Sequence, residues 1–71
     1  MAKNNRSYID NMVDLFGYDY VVGYCICSEY DIRCRAENEE DEAKKARLIK
    51  MANRYKMDAD RLTRERVENG L

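Results

Sequence analysis

Seventy-one residues, 45% of them hydrophobic and 38% charged, make a globular single domain (1–71) near the lower size limit for a self-sufficient core. The absence of histidine removes His-based triads and His metal ligands, and a net charge of −1 excludes the strongly basic balance of a typical DNA-binding domain. That charge is split along the chain: residues 1–43 carry ten acids against four bases and residues 44–71 nine bases against four acids, a dipole that favours oriented docking.

After a flexible N-terminus (1–6), the first element is a short amphipathic helix. Ser7 can cap it, Asp10 follows three residues later, and Ile9, Met12, Val13 and Phe16 share one face before Gly17 stops it. The run Tyr20 to Ala36 comes next and is rich in Val, Ile, Tyr and Cys, with no Leu, Met, Lys or Gln. Tyr30, Ile32, Cys34 and Ala36 alternate with Asp31, Arg33, Arg35 and Glu37, the period of a strand with one buried face. With Ser28-Glu29 as the turn, an antiparallel β-hairpin buries Val21, Gly23, Cys25 and Cys27 against Ala36, Cys34, Ile32 and Tyr30. A one-residue slip would exchange its faces. A helical reading of 19–35 also exists, because Val22, Ile26, Tyr30 and Cys34 are four apart; helix formers are nearly missing and Ile32 falls off that face.

From Glu37 the chain turns acidic and then helical. Asn38 can cap with Asp41 three residues on, and Glu39 to Glu42 sit at the positive end of the helix dipole. Leu48, Ile49, Ala52 and Tyr55 form the apolar stripe. At Met57-Asp58 the helix either breaks, with 58–71 as a C-terminal helical extension, or runs on, since Leu48, Tyr55 and Leu62 are seven apart with Ala52 and Ala59 between them. The expected fold class is therefore α+β: a short N-terminal helix, a β-hairpin and a long C-terminal helix.

Chemistry has little to draw on. Ser7, Ser28 and Thr63 are the hydroxyl residues apart from tyrosine, so no enzyme activity is expected. Cys25, Cys27 and Cys34 lack a fourth ligand for structural zinc and read as reduced, inward-facing fillers, so neither metal nor cofactor is expected. Three thiols without a signal-peptide layout, and no apolar run long enough to span a bilayer, lead to the expectation of a cytoplasmic protein with no membrane partner.

Binding remains. The outer hairpin face would present Tyr20, Tyr24 and Ile26 beside Asp31, Arg33 and Arg35, a composition that protein interfaces favour. Arg47, Lys50 and Arg54, with Arg61 and Arg64 beyond them, form a basic helix face able to track phosphates. The expected partner is another protein, a homodimer being compatible with so small a core, and nucleic acid is the alternative. The succession Tyr30-Asp-Ile-Arg-Cys-Arg-Ala-Glu-Asn-Glu-Glu-Asp-Glu-Ala43, in a chain without catalytic residues, resembles the small acidic single-domain proteins of bacteriophages and mobile elements, including anti-CRISPR inhibitors. Phe16-Gly-Tyr-Asp-Tyr-Val-Val-Gly23 with Asp41-Glu-Ala-Lys-Lys-Ala46 is similar to the SaV-like small phage proteins, although the intervening spacing departs from theirs and would require the helical reading. The first likeness implies a stoichiometric inhibitor that covers the working surface of a host defence protein, with no chemistry of its own.

Overall fold

Residues 8–70, described by a computed structural model, form three helices: α1 (Tyr8–Phe16), α2 (Tyr18–Glu37) and α3 (Glu42–Glu68). The first forms where its sequence signals place it, except that Phe16, expected on the core face, is exposed. Ile9 and Met12 are buried on one face, and Gly17 ends the helix with its N–H on the Val13 carbonyl at 2.8 Å. Gly17 has φ 90°, a left-handed conformation that a side chain would resist, and it is also the N-cap of α2, so one glycine turns the chain from helix to helix. The expected Ser7 cap and the expected flexible segment 1–6 lie outside the described residues.

The β-hairpin, and with it the α+β class, is overturned. Tyr20 to Ala36 lies wholly within α2, and no strand forms among the described residues. The physical reason is in the spacing. Val21, Cys25, Ile32 and Ala36 are buried, with Ser28 half-buried between them, so the inward positions advance by four and three residues in the manner of a helix seam. Of the four residues whose alternation signalled a strand, Ile32 and Ala36 are inside, Cys34 is half-buried and Tyr30 lies in solvent. The helical stripe through Val22, Ile26, Tyr30 and Cys34 is also not the buried one. Two pairs with the acid four residues before the base, Glu29–Arg33 at 2.8 Å and Asp31–Arg35 at 3.4 Å, support the helix in its favourable orientation. Intrinsic preferences here amount to tenths of a kcal/mol per residue, whereas an isolated two-stranded hairpin is marginal in water. Packing of a long helix against α3 therefore wins.

The acidic run is divided rather than used as one helix start. Glu37 ends α2, and Asn38 caps that end, its side-chain amide donating to the Cys34 carbonyl at 3.1 Å. Asp41 is the N-cap of α3, accepting from the Ala43 and Lys44 N–H groups at 2.9 and 3.2 Å. The third helix then runs unbroken through Met57-Asp58, so residues from 58 onward are no appendage: Ala59 and Leu62 are core.

The second and third helices pack as an antiparallel hairpin. Arg66 meets Asp19 at 3.1 Å and the Tyr18 hydroxyl donates to Glu65 at 3.4 Å at one end, while Arg33 reaches Asn53 at 3.0 Å midway. On α3 the inward residues Leu48, Ala52, Tyr55, Ala59 and Leu62 keep the same alternation of four and three. The first helix closes the open end, laying Ile9 and Met12 onto Val21, Cys25, Ala59 and Leu62. Arg61 fastens it, bridging Asp10 of α1 at 3.0 Å and Glu65 at 2.8 Å. Burial works against the Arg61 charge, but hydrogen bonds to Glu65 and Asp10 outweigh it and leave its pKa raised.

Leu62 is fully buried at the meeting point of all three helices, so Leu62→Ala should cost about 2–5 kcal/mol. A chain of this size holds roughly 4–10 kcal/mol in total, so urea unfolding followed by circular dichroism should show the midpoint of that variant lowered by about half. Gly23 is the contrasting case: it sits mid-helix with nothing within 4 Å of an added Cβ, so Gly23→Ala should stabilise by roughly 0.5–1 kcal/mol.

Candidate interaction surface

A helix of 20 residues distributes its side chains around a cylinder, and this rearranges the residues expected on one hairpin face. Ile26 and Arg33 fall on one flank of α2, Tyr24, Asp31 and Arg35 on the other, and Tyr20 between that second flank and the outward side. Tyr24 is half-buried and meets Tyr55 edge-on, with ring centroids 6.0 Å apart, so it belongs to the core margin. Arg33 is held by Glu29 and Asn53. Asp31 and Arg35 pair with each other. Tyr20 and Ile26 remain open to solvent.

A different constellation occupies the outward side. Tyr20, Gly23, Cys27, Tyr30 and Cys34 follow one another at intervals of three and four, opposite the buried seam, and contain no charge. Tyr30 is 74% exposed, Tyr20 58% and Ile26 53%, and Phe16, at 55%, leans on Tyr20 with ring centroids 4.9 Å apart. Sequence reasoning missed Phe16, assigned to the core stripe of the first helix, and Tyr30, assigned to the inner face of a strand. The signal available was that α2 carries apolar residues on both sides, which an amphipathic surface helix does not.

The basic residues separate into two groups. Arg33, Arg35, Lys56, Arg61 and Arg66 each have an acidic partner within 4 Å. Arg47, Lys50, Arg54 and Arg64 are exposed along α3 and, like Lys44 and Lys45 in its first turn, have no ion pair among the described residues. Arg61, expected with this second group, is instead committed to Asp10, Asp58 and Glu65. At the closed end of the hairpin an open concavity of about 580 Å³ is lined by Arg35, Asn38, Glu39, Lys44, Arg47 and Leu48. A smaller groove of about 290 Å³ lies between α1 and α3 against Tyr8, Met51, Arg54, Tyr55 and Asp58.

The thiols diverge. Cys25 is buried, Cys34 half-buried and Cys27 exposed, correcting the expectation that all three point inward. Among the described residues no three His, Cys, Asp or Glu side chains converge on a point where a metal ion would sit, and no helix is long and apolar enough to cross a membrane. Burial pushes the Cys25 thiol above its ordinary 9.0; Asp58 acts in the same direction and Arg61 opposes both. The Tyr24 hydroxyl beside Tyr55, together with burial, raises the Tyr55 phenol. No family model, curated protein or solved structure matches the chain.

A thiol reagent should therefore label Cys27 fast, Cys34 more slowly, and Cys25 only on unfolding, as peptide mapping of a labelling time course would read. Because the folded chain holds the Cys25 proton longer than the unfolded one, stability is full below 9.0 and declines as the pH rises past it. Cys25→Ala should remove that part of the decline.

Proposed function

We propose that the chain is a non-enzymatic, stoichiometric protein-binding module of the cytoplasm, and that it binds through the outward side of α2. The observation that carries this reading is the uncharged strip of Tyr20, Cys27 and Tyr30, continued by Phe16 and flanked by Ile26, left open on a helix whose opposite side is already buried. Exposed aromatic clusters of this kind mark interaction sites on small soluble domains, and tyrosine is a frequent anchor because it offers large area at low entropic cost. The likeness to phage-encoded inhibitors supports a host protein as the target, whose working surface would be covered without chemistry.

Tyr20→Ser combined with Tyr30→Ser should leave the helical spectrum intact and weaken partner capture by the tagged full chain. Loss of one buried anchor commonly costs about 2 kcal/mol, roughly thirtyfold in affinity. Capture of the same partner at undiminished affinity would place the interface elsewhere.

The exposed row Arg47, Lys50 and Arg54, with Arg64 further along, favours a second reading as a nucleic-acid-binding regulator. Binding to duplex DNA should then fall steeply with salt. Replacing Arg47, Lys50 and Arg54 together should lower the slope of log K against log salt by about 3, one counterion for each phosphate that the variant no longer neutralises.

A further inference from the structure

The outward strip of α2 has a property that the choice of a protein partner does not require: it is complementary to itself when reversed. Read forwards, positions 20, 23, 27, 30 and 34 are large, small, small, large and small: Tyr, Gly, Cys, Tyr, Cys. Laid antiparallel across a two-fold axis at Cys27, the strip places Tyr20 level with Cys34 of a second copy and Tyr30 within one residue rise, about 1.5 Å, of its Gly23. Cys27 then faces its own equivalent. Every ring meets a small residue, and no charge lies in the contact line.

We propose that two copies of this chain pair through α2 in this antiparallel register, with Cys27 on the axis. The inference rests on the reading of the α2 strip as a protein-binding surface and names a second copy as its occupant. Gly23 supplies the space, since nothing in its own chain lies within 4 Å of where a Cβ would stand. Helices pack with axes about 8–10 Å apart; removing the roughly 2.3 Å Cα radius of each leaves facing Cα atoms about 3.4–5.4 Å apart, which reaches the roughly 4.4–6.8 Å range of a disulfide when the axes are about 9–10 Å apart.

The area sets the strength. Tyr30, Tyr20 and Phe16 at 74, 58 and 55% exposure leave on the order of 400 Å² of ring surface per copy, taking about 200 Å² for a whole side chain. With Ile26 and the helix stems the pair would bury roughly 1,000 Å² in total, below the ~1,200–2,000 Å² of stable complexes. The dimer is accordingly weak and concentration-dependent.

Sedimentation equilibrium of the full chain should show a monomer–dimer mixture on the order of 100 µM, the range expected for so small an interface. Gly23→Leu fills the space required by the partner's Tyr30 and should abolish the dimer while the helical spectrum is kept. Diamide, which takes two electrons and two protons from a pair of thiols, should link two copies rapidly in Cys34→Ala, where Cys27 remains exposed, and at least tenfold more slowly in Cys27→Ala. A chain that stays monomeric, or a dimer that survives Gly23→Leu, or equal cross-linking of the two cysteine variants, overturns the pairing. If such a chain still loses its protein partner with Tyr20→Ser and Tyr30→Ser, self-pairing alone has failed and the protein-binding reading stands.

Discussion

The seam between α2 and α3 is the contact on which the rest of the molecule depends. It is built mostly from small groups, Cys25, Ala36, Ala52 and Ala59, with Val21, Ile32 and Leu62 as the larger pieces. Small residues let two long helices lie close together, so dispersion and burial act along their whole length despite the modest volume of each side chain. The first helix adds Ile9 and Met12 at the one place where the hairpin's open end would otherwise leave Leu62 and Val21 half covered. With so few buried residues, the fold has little stability to spare, and the turn devices at Gly17, Asn38 and Asp41 matter out of proportion to their size.

A seam of small residues has a consequence for the opposite side of α2. The helix is too rich in apolar residues to bury them all along one narrow line, and among the described residues there is no fourth element to cover its back. Tyr20, Ile26 and Tyr30 therefore remain mostly in water, where they cost solubility and add little to the isolated fold beyond the Phe16–Tyr20 ring contact. A surface of that kind is understandable when something else covers it.

Electrostatics divide the molecule in a parallel way. Arg61 and Arg66 tie α3 to α1 and to α2, and Arg33, steadied by Glu29, reaches Asn53 across the middle of the hairpin. The outer row of α3 holds no helices together. Its residues Arg47, Lys50, Arg54 and Arg64 carry charge outward, with no ion pair among the described residues. Exposed cations are often merely solvated, and the net charge of −1 argues against broad attraction to nucleic acid. The aromatic strip is the more costly feature to expose, which is why it comes first as an interface.

What the sequence by itself determined is local. The buried face of α1 follows from the spacing of Ile9 and Met12, and its C-terminal end from Gly17, the only glycine before α2. A helix from the forties onward follows from Leu48, Ala52 and Tyr55 at intervals of four and three, whereas the spacing allowed either a break or a continuation at Met57-Asp58 and the structure decided for the continuation. The state of residues 20–36 was not local. Val, Ile, Tyr and Cys favour strands only weakly, and their alternation at 30–36 satisfies period two while Val21, Cys25, Ile32 and Ala36 satisfy a helix; one-dimensional patterns cannot choose when both fit. The choice fell to α3, whose matching seam rewards a helix along its full length and offers a strand no edge to pair with. The same choice decided the site. It moved Tyr24 into the core margin, tied down Arg33, paired Asp31 with Arg35, and turned Tyr30 outward, because which side chains share a surface depends on the angle each residue turns through, about 100° in a helix against about 180° in a strand, and tertiary packing chose between the two.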